Sequence, residues 1–320
     1  MSRFICFLLG ACCLPFQSGG TEEAATSELP TLPITWKGRP GKVHLFQPGG
    51  ELLIVRVKSA ERWADGAWST VDGVPYVRDT AKAVDRLYAT GKEAMGWFAT
   101  DGSWTEIVGP AALDGRSVDN LTLHSGALVV WPVPKVGEES LTIWQWENDA
   151  WSPAPGAPIH RALCGASTGS ALVFVGQATR TTEFSADAVA VFKDRTWAPG
   201  PAIPDTDAVP RTCTSASDGI YVTTTKDSGY GVWWVSETTA EVVALDGLTD
   251  PQVIPGEPPV LMDESGFWTL SGSSATLLPA VEARSSASGL RASEGVWVVG
   301  GVDSAGEPVP RVELVPVSGP

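Results

Sequence analysis

Short apolar runs, separated by polar segments and turn-forming residues, recur along most of the chain. Runs of this length that are bounded by Gly, Pro, Asp and Asn predict buried β-strands, because helices need longer periodic segments. Residues 79–95 also place Ala, Lys and Leu at spacings that favour an isolated helix, but we expect the β pattern around them to override this local preference. Seven runs lead the pattern: Leu52–Val57, Leu87–Ala89, Ala127–Trp131, Ala171–Val175, Ile220–Thr223, Phe267–Leu270 and Val296–Val299.

Two pairs of segments that begin at an arginine repeat one another. The segment RDTAKAVDRLYAT from Arg78 aligns without gaps on RTCTSASDGIYVT from Arg211. The segment RSVDNLTLHSGALVVW from Arg116 resembles RALCGASTGSALVFVG from Arg161, with SGALVV in the first matching GSALVF in the second. The four arginines therefore mark copies of one repeated unit.

A turn-rich segment with a tryptophan precedes each of these copies. The four segments are DGAWSTVDGVP (Trp68), DGSWTEIVGP (Trp104), NDAWSPAPGAP (Trp151) and DRTWAPGPAIP (Trp197), and their tryptophans are spaced 36, 47 and 46 residues apart. The adjacent Asp and Gly in DGAW and DGSW predict tight type I′ hairpin turns. A unit of this length with two apolar runs and a Trp turn holds four short strands, which is one blade of a β-propeller.

The last unit shows a resemblance to a known repeat family. GVWVVGGVDSAGEPVPRVELVPV, residues 295–317, resembles the kelch repeat in its glycine pair, Gly300 and Gly301, and in the Arg after its prolines. The resemblance implies an all-β propeller of four-stranded blades, and the runs predict seven. Six blades remain open, because Pro258 takes the place of an Arg in the sixth unit and no Trp turn follows. We expect an N-terminal strand at Ile34–Lys37 to complete the last blade and remove its free edge.

The repeated arginines are the candidate binding residues, and two roles are open for them. Arg78, Arg116, Arg161 and Arg211 can brace neighbouring blades through hydrogen bonds to backbone carbonyls. The kelch resemblance instead implies that they face the mouth of the central channel and bind acidic partner segments. Guanidinium groups suit carboxylates and phosphates, because their donors form a fixed fork.

Composition narrows the classes of partner. The chain has 320 residues, of which 43% are hydrophobic, so a large core is expected. The charge is acidic, with 37 Asp and Glu against 22 Lys and Arg. Nucleic acid is excluded as a partner, since a phosphate-binding face needs a basic excess. No apolar stretch is long enough for a membrane-spanning helix.

The first residues resemble a bacterial lipoprotein signal. Arg3 precedes an apolar stretch that ends in LGAC, and the resemblance implies cleavage after residue 11 and acylation of Cys12. An ordinary secretory signal is the alternative. Residues 12–30 are expected to form a lipidated, flexible tether that reaches roughly 20–25 Å, and residues 31–320 the propeller. The predicted location is the bacterial cell envelope, with the lipid anchor as the only contact with the membrane.

Export changes the expectation for the cysteines inside the fold, because disulfides persist outside the reducing cytoplasm. Cys164 and Cys213 follow their arginines by three and two residues, so they lie at nearly equivalent places on the innermost strands of adjacent blades. A disulfide between them requires Cα atoms within about 7 Å. Two small buried thiols are the alternative.

Patterns that suggest catalysis are weak. GASTG, residues 165–169, fits the G-x-S-x-G nucleophile motif, but His44, His124 and His160 all precede Ser167, and the segment lies inside a β-repeat. The histidines show no metal-binding spacing, so no metal or other cofactor is expected. Four tyrosines, Tyr76, Tyr88, Tyr221 and Tyr230, permit a copper centre like that of galactose oxidase by number only. No catalytic residue is assigned.

We therefore expect a lipid-anchored, exported and monomeric propeller that works by binding. Its partner is an envelope protein or an anionic or glycan ligand. Two alternatives remain, a structural subunit of an envelope assembly complex and an enzyme that acts on sugars or alcohols. The fold class does not decide among them, because propellers serve all three roles.

Overall fold

The chain folds as a seven-bladed β-propeller in a computed structural model. Each blade is a four-stranded antiparallel sheet, as the repeats predicted. Helix is confined, in the described part, to one 3-10 turn, Ala111–Leu113, and no described helix is long and apolar enough to cross a membrane. The structure describes residues 27–29, 44–47, 51–91, 94–116, 118, 120–135, 137–181, 184–278, 287–291, 295–301, 305, 307, 309 and 312–317.

The blades are numbered along the chain, and in blades 1–6 the strands run outward from the axis in chain order. Blade 1 holds β2 (His44–Phe46), β3 (Leu52–Val55), β4 (Ala60–Ala64) and β5 (Ala67–Val71), and blade 2 holds β6 (Asp79–Lys82), β7 (Leu87–Thr90), β8 (Met95–Phe98) and β9 (Trp104–Glu106). Blade 3 holds β10 (Asn120–His124), β11 (Ala127–Trp131), β12 (Ile143–Glu147) and β13 (Ala150–Ala154).

The second half of the ring follows the same order. Blade 4 holds β14 (Arg161–Ser167), β15 (Leu172–Gln177), β16 (Ala188–Lys193) and β17 (Thr196–Pro199), and blade 5 holds β18 (Val209–Ser215), β19 (Ile220–Lys226), β20 (Gly229–Val235) and β21 (Ala240–Val242). Blade 6 holds β22 (Gln252–Ile254), β23 (Val260–Asp263), β24 (Gly266–Ser271) and β25 (Ser274–Leu277). Blade 7 holds β26 (Ser288–Arg291), β27 (Gly295–Val299), β28 (Val312–Pro316) and, at its outer edge, β1 (Ser27–Leu29).

The hydrophobic core is divided into wedges between neighbouring blades. One wedge packs Val173 and Val175 of blade 4 against Val222 of blade 5. Another packs Ile54 of blade 1 against Trp297 of blade 7, which closes the ring. The second strand of a blade contributes to the wedges on both of its sides, and this explains why those strands appear in the sequence as unbroken apolar runs.

The repeated tryptophans lie on the outermost strands, opposite an aromatic residue of the next strand inward. Trp68 is the register partner of Trp63, and their ring centroids are 5.2 Å apart. The indole Nε1 of Trp151 also donates a 2.8 Å hydrogen bond to the carbonyl of Val108, which follows the outer strand of the preceding blade. The Trp turn therefore holds a hairpin together and, in this case, links two blades.

The hairpin turns match the predicted type in one of the two Asp-Gly sequences. Asp65 and Gly66 join β4 to β5 with φ values of 52° and 76°, as a type I′ turn requires. The prediction was wrong for Asp101 and Gly102, because β8 and β9 are joined by a longer loop in which only Gly102 has positive φ, at 84°. The Asp101 carboxylate instead accepts a hydrogen bond from the Ser103 N–H.

Blade 6 differs from the prediction in which strand the apolar run forms. The run Phe267–Leu270 lies on β24, the third strand, and the second strand is Val260–Asp263. A buried strand ending in aspartate is tolerated because the Asp263 carboxylate accepts hydrogen bonds from the backbone N–H groups of Thr249 and Ser265. Pro258 therefore lies between the first two strands rather than ahead of the blade.

The structure also decides two further predictions: the conformation of residues 79–95 and the position of the strand that closes the last blade. Residues 79–95 contain the strands β6 and β7 and the start of β8, so the β pattern overrides the local helical preference. The strand that closes the last blade is Ser27–Leu29, which pairs with β28, in the segment that we had assigned to the tether. The segment Ile34–Lys37, which we expected in this role, lies outside the described residues, as does the predicted leader.

Candidate functional site

A central channel of about 440 Å³ runs along the propeller axis. The innermost strands of all seven blades line it, because every blade places its first strand at the axis. Each blade contributes at least one residue to the lining, and one from each blade in order is Leu45, Lys82, Asn120, Leu163, Arg211, Gln252 and Leu290.

A disulfide crosses the wall of this channel between blades 4 and 5. The structure joins Cys164 of β14 to Cys213 of β18 with Cα atoms 5.5 Å apart, which meets the distance condition set from the sequence. A β-bulge precedes each cysteine, at Leu163 in β14 and at Arg211 in β18. Each bulge adds one residue to its strand and changes the direction of that residue's side chain. Both added residues line the channel.

The four repeated arginines lie at the same side of the propeller, where the innermost strands begin. We call this side the arginine face; it is formed by the connections that enter the first strands and by those between the second and third strands. Arg78 directly precedes β6, Arg116 precedes β10, Arg161 begins β14 and Arg211 is the third residue of β18. Their surroundings nevertheless differ.

Arg116 is held in a nearly buried ion pair. Its side chain is 10% exposed, and its two terminal nitrogens each lie 2.9 Å from one carboxylate oxygen of Glu138. One of these nitrogens also donates a 2.8 Å hydrogen bond to the carbonyl of Val133. Burial alone would raise the pKa of Glu138, but the hydrogen bonds and charges of Arg116 and Lys135 outweigh it and hold the pKa below its ordinary value.

Arg78 and Arg161 each lie over an exposed aromatic ring. The guanidinium carbon of Arg78 is 5.6 Å from the ring centroid of Tyr76, and that of Arg161 is 5.0 Å from the ring centroid of Phe184. Tyr76 is 39% exposed and Phe184 56% exposed. These contacts are cation–π interactions at the surface.

The four arginines do not share one cavity. Arg211 is exposed and lines the channel, whereas Arg78 and Arg116 line a cleft of about 820 Å³ between blades 2 and 3. Arg161 lines neither of these two spaces. The sequence pattern located the arginines correctly at the starts of their blades but gave no information on their partners Glu138, Tyr76 and Phe184, because those lie in loops that do not repeat.

Charge at the arginine face is distributed unevenly around the ring. Exposed Lys58, Lys135 and Arg180 lie in the connections of blades 1, 3 and 4 at this face. The described connections of blades 5 and 6 at the same face contain neither Lys nor Arg and carry six carboxylates: Asp205, Asp207, Asp227, Asp246, Asp250 and Glu264. The face is therefore polarised: most of its cations lie on blades 1–4, and blade 5 adds Arg211 and Lys226 from the ends of its strands.

The opposite face brings together a serine and a histidine that are far apart in sequence. His124 Nδ1 lies 2.8 Å from the Ser167 hydroxyl, since their strands β10 and β14 end side by side at adjacent blades. The Ser167 hydroxyl is also within 2.8 Å of the carbonyl of Thr168, to which it can donate its proton. Burial lowers the pKa of His124. Ser167 is the serine of GASTG, and the contact joins the first strands of blades 3 and 4.

The remaining candidates from the sequence are dispersed. Tyr88 lies on blade 2, and Tyr221 and Tyr230 lie on blade 5, where burial raises the pKa of Tyr221 to about 12. Among the described residues no group of three or more His, Cys, Asp and Glu side chains is placed to hold a metal ion. Cys12, the predicted lipidation site, lies outside the described residues.

Solved structures confirm the fold and do not identify a family. The chain is similar to virginiamycin B lyase from Staphylococcus aureus, with a TM-score of 0.57, 12% identity and coverage of 91% of this chain and 99% of that one. It is similar to the same degree to the Cps50 (Swd1) β-propeller domain of Myceliophteria thermophila, with a TM-score of 0.57, 10% identity and coverage of 92% and 100%. YCF48 from Cyanidioschyzon merolae has a TM-score of 0.56, 11% identity and coverage of 91% and 99%.

Sequence comparisons add nothing to this result: no family model matches the chain, and no curated protein matches it. At identities this low, similarity extends to the propeller fold alone, and a propeller is consistent with a binding or scaffold role.

Proposed function

We propose that this protein is an exported, lipid-anchored binding protein of the bacterial envelope, with a kelch-like propeller. Its arginine face on blades 1–4 binds an anionic ligand, and an acidic segment of a protein partner suits this face best. Acylation of Cys12 supplies the attachment to the membrane in this proposal, and the propeller supplies the binding surface.

The observation that carries the proposal is the pairing of an arginine with an exposed aromatic ring at two places on the arginine face. Arg78 lies over Tyr76 and Arg161 lies over Phe184, on blades 2 and 4. Tyr, Phe and Arg are enriched in the cores of protein interfaces, and Tyr and Arg are also frequent among the residues that contribute most of the binding energy. A guanidinium group that rests on a ring loses less side-chain entropy when it meets a carboxylate.

The uneven charge supports an acidic partner and gives it an orientation. An acidic segment is attracted to the cations of blades 1–4 and repelled by Asp227, Asp246 and Asp250 on the other half of the face. The whole chain has a formal net charge of −15 and repels an acidic segment elsewhere, so the cations of blades 1–4 form a local exception. Such complementarity acts mainly on specificity and on the association rate.

The experiment is quantitative capture of envelope proteins on the full chain and on two matched variants. The first variant is Arg78→Ala with Arg161→Ala, which removes the two stacked arginines of the arginine face. The second is Arg86→Ala with Arg195→Ala, which removes two cations from the opposite face. We expect a partner that binds the wild type and the second variant equally and binds the first at least about tenfold more weakly.

Two results would contradict the proposal. One is equal capture of every partner by the first variant, with an unchanged unfolding transition. The other is equal loss in both double variants, which would indicate a response to total charge and not to the arginine face.

A further inference from the structure

The central channel contains two cations that have no partner among the described residues. Arg211 extends from the bulge in β18 and Lys82 is the last residue of β6, and both side chains are exposed and line the channel. Neither makes a hydrogen bond or an ion pair with any described residue. Asp79 is the one carboxylate among the described residues that line this space, and it is already engaged in an interaction of its own.

The two cations lie on opposite sides of the channel and toward opposite ends. Arg211 belongs to blade 5 near the arginine face, and Lys82 belongs to blade 2, where its strand ends at the other face. Leu45, Leu121 and Leu290 contribute apolar wall to the same space. Its volume of about 440 Å³ lies within the range of small-molecule sites.

The local charge favours an anion in this space. Among the described lining residues, Arg211 and Lys82 against Asp79 leave one excess positive charge, inside a molecule whose net charge is −15. Protein that surrounds Lys82 in the ring lowers its pKa by desolvation, even though the side chain is exposed to the channel. A ligand carboxylate at this amine would offset that desolvation, and the low-dielectric walls of a narrow cleft strengthen the attraction.

The backbone at Arg211 is also held in position before any ligand arrives. It is the bulged residue of its strand, and Cys213, two residues later, is bonded covalently to the neighbouring blade. No backbone has to be ordered when the fork of this guanidinium group meets a carboxylate, so the entropic cost is limited to the side chain.

We propose that the central channel binds a small dicarboxylate, with one carboxylate at Arg211, the other at Lys82 and the carbon chain along the leucine side chains between them. This site is separate from the surface formed by Arg78, Tyr76, Arg161 and Phe184, and it does not depend on the function proposed for that surface.

The test is calorimetric titration of the full chain with succinate and glutarate, with propionate as a monocarboxylate of similar size. Arg211→Gln and Lys82→Gln each remove one charge, and Arg195→Gln is the matched control at an exposed turn of the opposite face. We expect the wild type to bind a dicarboxylate with a Kd below about 1 mM. The affinity should be at least about tenfold weaker for each channel variant and for propionate, and the control variant should bind like the wild type.

Three results would overturn the proposal. They are absence of binding by either dicarboxylate, binding that neither channel variant weakens, and binding that depends on Arg211 but not on Lys82. An acidic peptide that binds through Arg211 while succinate does not would also overturn it. Capture by the Arg78 and Arg161 variant is measured separately, so failure of one proposal leaves the other intact.

Discussion

The cleft between blades 2 and 3 and the central channel each contain an arginine from the same place in the repeat, yet the two side chains have different surroundings. Arg116 in the cleft is 10% exposed and is bonded to Glu138 and to a backbone carbonyl. Arg211 in the channel is exposed and has no partner among the described residues. A repeated residue type therefore does not imply repeated contacts, since Arg116 is bonded within its own blade and Arg211 is not bonded to any described residue.

The local backbone explains this difference. Arg116 follows a 3-10 turn outside the strand, where it can reach Glu138 in the connection between β11 and β12. Arg211 lies inside its strand at a bulge, which directs it toward the axis. Removing the groups that hold each region should therefore separate stability from binding.

The largest expected effect is on the channel wall. Replacing Cys164 and Cys213 with Ser removes a cross-link between residues that are 49 positions apart, which should lower the free energy of unfolding by about 4 kcal/mol by the chain-entropy estimate. Denaturant unfolding of the wild type with and without a reductant, beside the double variant, measures this. A loss below about 1 kcal/mol would mean that the disulfide does not hold the channel wall.

The next effect is on the cleft. Arg116→Ala should lower the free energy of unfolding by about 2 kcal/mol, because it removes charged hydrogen bonds from a nearly buried side chain and leaves Glu138 without its partner. Arg86→Ala is the control, since its pair with the exposed Asp85 should contribute less than about 0.5 kcal/mol. An equal loss of unfolding free energy in the two variants would show that burial does not make the Arg116 pair more stabilising than an exposed pair.

A smaller effect depends on pH. The pKa of Glu138 is held below its ordinary value of 4.5, so its pairing stabilises the fold fully above that value, and the contribution is lost as the pH falls through the lowered folded-state pKa. Glu138→Gln should therefore flatten part of the decline in stability below about pH 4.5. Denaturation midpoints from pH 3 to pH 7 check this, and parallel curves for variant and wild type would contradict it.

The smallest expected effect on stability is at Arg211. Arg211→Ala should change the free energy of unfolding by less than about 0.5 kcal/mol, because the side chain is exposed and makes no bond to a described residue. Thermal and denaturant unfolding measure it against Arg116→Ala. A loss similar to that of Arg116→Ala would place Arg211 among the bracing residues and remove the contrast between the two regions.

Much of the fold could be predicted, because each blade buries its second strand between the same kinds of neighbours and so repeats an apolar run. The second strands are buried on both sides, so five of the seven leading runs, such as Ala127–Trp131, mark second strands with bounds correct to within two residues. The second strand of blade 6 was not predicted, because it ends in a charged residue, Asp263. The carboxylate of Asp263 accepts a hydrogen bond from a backbone N–H group, and no local sequence pattern indicates this bond. The closing strand Ser27–Leu29 is short, and its pairing with β28 is set by ring closure rather than by its own sequence.

The candidate site was predictable only in part. The alignment placed the arginines and brought Cys164 and Cys213 to neighbouring strands, since both inferences depend on the repeat. The aromatic rings of Tyr76 and Phe184 and the carboxylate of Glu138 lie in connections whose lengths differ from blade to blade. These residues lie close to their arginines or in the same blade, but they occupy connections that do not repeat, so an alignment of the copies contains no signal for them.

The most direct test of this account measures stability and dicarboxylate binding together in Arg116→Ala and Arg211→Ala. The account predicts opposite losses: Arg116→Ala is less stable by about 2 kcal/mol and binds succinate like the wild type, whereas Arg211→Ala is as stable as the wild type and binds at least about tenfold more weakly. If both variants lose stability alone, or both lose binding alone, the repeated arginines share one role and the account is contradicted.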